Sequence, residues 1–181
     1  MTMQASDTVI YKRKKYTLID VEKGKQMIDC AEFPKSREIC AFSSACWRGY
    51  IAEYRIRDGK LYGVRCEEKM GVETSLQSKE MFVNYTGSCV IAWNRDKDAW
   101  VNSDFLECYM DYDEALELHF TDGVLDEVRD LAEVIREQKE WKKKVEDGDE
   151  QAKIRLSLVG REELARRYLK YEYDESSYKW R

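Results

Sequence analysis

One proline, one histidine and nine glycines in 181 residues exclude several kinds of protein at once. The lone proline, Pro34, leaves no proline-rich linker or repeat. The lone histidine, His119, means that any imidazole general base, or any Cys–His nucleophile pair, has to use that residue. The glycines are scattered, and the chain has no phosphate-cradling glycine loop, dinucleotide fingerprint or Ser-centred elbow. No apolar run approaches the roughly 18 residues of a membrane span. Met1 to Asp7 also lacks the apolar core of a signal peptide, so the expected compartment is cytoplasmic, with no membrane partner. Six cysteines are present (Cys30, Cys40, Cys46, Cys66, Cys89 and Cys108). None has the short spacing of a zinc knuckle, and they read as ordinary buried thiols in a reducing environment. No cofactor is expected.

What is abundant is charge and aromatic surface. Charged residues make up 37% of the chain and hydrophobic ones 43%, with five Trp and twelve Tyr, which is the composition of a folded domain with a heavily solvated surface. The net charge of −5 disfavours nucleic acid as a partner overall, although Lys12-Arg13-Lys14-Lys15 forms a local basic turn.

The clearest local signal runs from Trp47 to Val64. Asp58-Gly59 tolerates the positive φ angles of a two-residue turn, and so places Arg57 opposite Lys60, Ile56 opposite Leu61, Arg55 opposite Tyr62 and Tyr54 opposite Gly63. The Ile56/Leu61 and Tyr54/Gly63 pairs then share one face with Ala52 and Tyr50. Other short alternating segments precede and follow this hairpin. They include Val9 to Tyr11 and Tyr16 to Ile19 around the basic turn, Met81 to Val83, Ser88 to Trp93, Phe105 to Met110 and Ala115 to Phe120. A short helix is expected around Lys25 to Cys30. After Gly123 the spacing of Val128, Leu131, Val134, Ile135, Gln138, Trp141 and Val145 fits one side of a long helix ended by Gly148. Shorter helices are expected from Asp149 to Leu158 and from Arg161 to Tyr171. The expectation is an α+β fold, a twisted, mainly antiparallel sheet or partly closed barrel over residues 8–123. A helical appendage over 124–173 and a frayed end over 174–181 complete it.

The Trp47-Arg48-Gly49-Tyr50 strand, its aromatic arm and the Asp58-Gly59-Lys60-Leu61-Tyr62 return resemble a family of uncharacterised bacterial proteins. The likeness extends to Phe82-Val83-Asn84-Tyr85-Thr86-Gly87 and to Leu106 through Gly123. That family often has Trp where Tyr54 stands, and a His-bearing segment where this chain has Tyr109 to Tyr112. The resemblance implies a fold for residues 8–125 and no particular activity.

Two sets of residues could carry function. Trp47, Arg48, Tyr50, Arg55, Tyr62 and Trp141 combine aromatic and arginine side chains in the manner of binding hot spots. With the net negative charge and no recognisable catalytic set, they point to a non-enzymatic acidic protein that binds a basic protein. An immunity-type or mobile-element-borne inhibitor of a bacterial nuclease is the concrete form, and the helical tail offers a route to a homodimer. The alternative is a metal-dependent hydrolase. Asp111, Asp113 and Glu117 would hold the cation, Asp111 and Asp113 sharing a face if that stretch is extended.

Overall fold

The computed structural model describes residues 6–22, 27, 51–67, 80–95 and 109–156. The chain divides into two compact units, Met1–Ala132 and Glu133–Arg181. The first is a closed seven-stranded barrel. Its strands are β1 (Thr8–Tyr11), β2 (Lys14–Val21), β3 (Ile51–Arg57), β4 (Lys60–Glu67), β6 (Gly87–Arg95), β7 (Tyr112–Thr121) and β8 (Val124–Asp130). Their order is β3-β1-β2-β6-β7-β8-β4, and β4 returns to β3. A two-residue strand, β5 (Met81–Phe82), is laid on β4. The β1–β3 pair is parallel and the other pairs are antiparallel.

Three two-residue turns set this register. The β3–β4 turn holds Asp58 at φ 51° and Gly59 at 71°, and the β7–β8 turn holds Asp122 at 49° and Gly123 at 77°. The β1–β2 turn has the same geometry, with Lys12 at φ 49° and Arg13 at 67°, although both residues carry a Cβ. An L-residue in this left-handed region costs about 1 kcal/mol or more. The hairpin register read from Asp58-Gly59 is the one observed, Tyr54↔Gly63 through Arg57↔Lys60. Beyond Tyr54 a bulge shifts it by one residue, so that Glu53 faces Arg65.

Alternation along the strands sends Val9, Tyr11, Tyr16, Leu18, Ala52, Tyr54, Leu61, Cys89, Ile91, Leu118 and Phe120 into one core, closed by Val83 and Tyr85. Burying each of the Leu and Ile side chains contributes about 2 kcal/mol. Asp7 is buried beside them for a polar reason. Its Oδ1 accepts the Ala52 amide and its carbonyl accepts the Leu18 amide, both at 2.8 Å, tying β3 and β2 to the start of β1.

The barrel closes over a short stretch. Lys60 pairs with Val124, the Leu61 amide donates to the Gly123 carbonyl (2.9 Å) and the Leu125 amide to the Gly59 carbonyl (2.7 Å). The segment after β5 is stitched into the same seam. The Val83 amide donates to the Leu61 carbonyl (3.0 Å) and the Gly123 amide to the Tyr85 carbonyl (2.8 Å).

Two sequence expectations are corrected here. Residues 124–130 form β8 and not the start of a helix, so the strand-rich unit ends at Ala132. Val124, Leu125, Val128 and Leu131 satisfy helical spacing, but Asp122-Gly123 turns the chain back onto β7, and the ladder Leu116↔Asp130 to Thr121↔Val124 forms instead. Tyr109–Asp111 is a 3-10 turn and not a strand. The helix expected near residue 25, the strand material at 100–108 and the third helix at 161–171 lie outside the described residues.

In the second unit, α1 (Ala132–Glu146) buries Ile135 and Gln138 and half-buries Val134, Trp141 and Val145, the face its periodicity specifies. The Gly148 amide bonds the Val145 carbonyl at 3.0 Å, ending the helix there. Asp149 caps the next helix, α2 (150–156), accepting the Gln151 and Ala152 amides at 2.9 and 3.1 Å. Arg155 on α2 lies 3.5 Å from the Glu137 carboxylate on α1.

The seam predicts unequal costs at its two glycines. A Cβ on Gly123 would lie 2.2 Å from the Val83 carbonyl oxygen, whereas one on Gly59 would meet nothing within 4 Å. In urea unfolding, Gly59→Ala should lose about 1 kcal/mol from backbone conformation alone. Gly123→Ala should lose at least about 3 kcal/mol. Equal losses would contradict the close approach at the seam.

Candidate functional site

Alternation in the β3–β4 hairpin sends Ala52, Tyr54 and Leu61 inward, which turns Arg55, Arg57 and Tyr62 outward. Arg55 and Tyr62 are direct cross-strand partners. Pairing of β5 against β4 then sets Phe82 opposite Tyr62, their rings edge to face with centroids 6.0 Å apart. The Arg57 guanidinium lies 4.9 Å from the Tyr62 ring centroid. Glu80, just before β5, binds both arginines. One oxygen accepts from Arg55, and the other lies 2.7 Å from Arg57.

Each of these contacts is modest in energy. A solvent-facing ion pair is worth about 0–1 kcal/mol, a cation–π contact about 0.5–1 kcal/mol and an aromatic pair about 0.5–1.5 kcal/mol. Their combined effect is on order. Four long side chains are fixed around Phe82, which remains 46% exposed. Any further contact made there would have little rotamer entropy left to remove.

A second cluster lies where β2, β6 and β7 meet. Lys14 pairs with Glu114, and its ammonium sits 3.6 Å from the centre of the Trp93 ring and 5.2 Å from that of Tyr16. Tyr16 donates its hydroxyl to the other Glu114 oxygen. Burial pulls the Glu114 carboxyl upward, but the hydrogen bonds from Lys14 and Tyr16 and the Lys14 charge outweigh it and hold the group below its ordinary range. Burial, followed by the bond to Glu114 and its charge, pushes the Tyr16 phenol well above its usual value.

Of the expected binding residues, Arg55 and Tyr62 are brought together. Trp141 lies on α1 in the other unit, its indole N–H 3.3 Å from Glu137 and the Lys144 ammonium 4.0 Å from its ring centre. Trp47, Arg48 and Tyr50 lie outside the described residues. Phe82 and Glu80 were not singled out from sequence, because nothing local says that β5 pairs with β4. Among the other aromatics, Tyr54 and Tyr85 are core residues, while Trp93 is exposed.

The three acids of the metal-dependent alternative are not gathered. Asp111 is in the 3-10 turn, so the extended stretch that would align it with Asp113 is absent. Asp113 is exposed and accepts from the Asn94 side chain. Glu117 stands four residues further along β7, about 13 Å away. It is only 2% exposed, with the Arg129 guanidinium at 3.3 Å and His119 Nε2 at 3.6 Å. Among the described residues no three His, Cys, Asp or Glu side chains form a group that could hold a metal ion. His119 faces away from Leu118 and Phe120, as alternation requires, and Cys89 is buried in the core. Among the described residues no helix is long and apolar enough to cross a membrane. Neither a known family model, nor a curated protein, nor a solved structure matches this chain.

Because the Glu114 carboxyl is depressed in the folded state, its contribution to stability is present above the ordinary glutamate value of 4.5 and is lost as pH falls through its lower folded value. Glu114→Gln should therefore be less stable than wild type at neutral pH, and the two unfolding midpoints should converge on acidification. A gap that stays constant with pH would contradict the network.

Proposed function

We propose that this chain is a non-enzymatic, acidic protein-binding module whose partner docks on the outer face of β3, β4 and β5. An immunity-type or mobile-element-borne inhibitor of a bacterial nuclease is the form we favour. The observation that carries the reading is the prealigned patch, in which exposed Phe82 stands against Tyr62 with Arg55 and Arg57 fixed by one carboxylate. Tyr and Arg anchors around an exposed ring are the composition of interface hot spots.

Charge adds a second support. The net charge of −5 steers a basic partner toward the chain, while the arginines of the patch offer local anchor points once it arrives. Glu80 neutralises only one of the two arginines, so the patch accepts a carboxylate on an otherwise basic surface.

The test is affinity capture on the tagged full chain from its native lysate, followed by a measured Kd for whatever basic protein is retained. Phe82→Ala and Arg57→Ala should each weaken that complex by about 30-fold, the 2 kcal/mol of a hot spot. Arg57→Ala should change the chain's own stability by less than about 1 kcal/mol, since that side chain is more than half exposed, and Phe82→Ala should cost about 1–2 kcal/mol, since more than half of its surface is covered. Undiminished binding by both variants would place the interface elsewhere. Self-association with no second protein would replace the reading by a homodimer.

A further inference from the structure

We propose that the rim of the barrel beside the β1–β2 turn binds a nucleoside phosphate, with Lys12 and Arg13 taking the phosphate and Trp93 taking the base. The first observation is a contrast among the three two-residue turns. All hold both residues at positive φ, and two of them use Asp-Gly, the pair that fits this geometry best. The third uses Lys12-Arg13, which is strained there and would fold more readily as Asn-Gly. Strain kept at one turn and avoided at two others points to a task for the side chains.

The charges around that turn are not equivalent. Lys14 is held by Glu114 and Lys15 by Glu53. Lys12 and Arg13 are exposed and have no carboxylate partner among the described residues. Two cations at the tip of a turn match a terminal phosphate, which carries between one and two negative charges near neutral pH. The arginine fork suits two phosphate oxygens at once.

Trp93 supplies the other half. It is 42% exposed, and its ring is held by Lys14, itself fixed by Glu114. Lys14 lies against both rings, which sets Trp93 near Tyr16, three residues after Arg13 in the chain. That is about 10 Å of extended chain, a gap that a nucleotide and the lysine and arginine side chains would span together. An exposed, immobilised indole stacks on any nucleobase, because every base has a π face. The net charge of −5, with Glu53, Asp113 and Glu114 close by, opposes a long polyanion. The ligand is therefore short, either a free nucleotide or the phosphorylated end of a single strand.

Calorimetric titration of the full chain with adenosine monophosphate, adenosine and inorganic phosphate separately tests the assignment. Saturable binding of the nucleotide is expected, with adenosine and phosphate each at least tenfold weaker. A 5′-phosphorylated tetranucleotide that binds more tightly than the mononucleotide, with its 5′-hydroxyl counterpart weak, identifies a strand end as the source. Equal affinity for mononucleotide and phosphorylated tetranucleotide identifies the free nucleotide.

The double substitution K12N/R13G removes both charges while relieving the turn, so affinity should fall at least tenfold while Tm rises. Trp93→Leu should also lose at least tenfold, and Phe82→Ala should bind like wild type, which separates this site from the patch on β3–β5. The proposal is overturned by no saturable binding, by equal binding of phosphate and nucleotide, or by unchanged affinity in K12N/R13G. A lower Tm for K12N/R13G, or an acidic peptide that binds in place of the nucleotide, would overturn it equally.

Discussion

The barrel depends on its closure between β4 and β8, where two tight turns approach each other closely enough to share carbonyls. Six of the seven strand pairings around the ring run over three or more residue pairs, whereas β4 and β8 meet at Lys60↔Val124 alone. Four backbone bonds from Leu61, Val83, Gly123 and Leu125 bring Gly59, Gly123 and the chain after β5 into one junction. Without that junction the backbone links of β3 and β4 to the sheet, among the described residues, are the short parallel β1–β3 pair and Asp7. Hydrogen bonds of this kind contribute about 1 kcal/mol each, so the junction acts mainly by registering strands whose apolar faces do the stabilising.

Closure also positions the surface chemistry. Val83 and Tyr85 are drawn into the core, which fixes the chain before them and lays Met81 and Phe82 along β4. Glu80 is thereby delivered to the two arginines from a point in the sequence more than twenty residues away. At the rim, Glu114 does the comparable service for Lys14, Tyr16 and Trp93. In both clusters a single carboxylate holds cations and rings in place, and its worth is in order more than in stability. The buried Glu117 is different, since there Arg129 compensates a carboxylate taken out of water.

Much of the fold was legible because the decisive signals were local. Asp58-Gly59 and the alternation around it specified β3, β4 and the faces of Tyr54, Arg55, Leu61 and Tyr62 before any long-range contact was known. The α1 face and its end at Gly148 were equally local. What failed was a contest between local pattern and available partner. Residues 124–131 carry helical spacing, yet the open edge of β7 captured them as β8 through the Asp122-Gly123 turn. The patch on β3, β4 and β5 was half visible for the same reason. Arg55 and Tyr62 sit in the hairpin that the sequence announces, whereas Glu80 and Phe82 join them through a two-residue strand whose partner no local rule names. The strain at Lys12 and Arg13 was invisible, because a basic turn reads as an ordinary solvated one until its φ angles are known.

Native-state hydrogen exchange tests the central role of the closure directly. If the junction is integral to the barrel, the amides of Leu61, Val83, Gly123 and Leu125 should exchange only through global unfolding, with protection equal to that of Cys89 and Ile91 in the centre of β6. If those four amides exchange by a local opening many times faster than the β6 amides, the barrel stands without its seam, and β3, β4 and their surface patch do not depend on it.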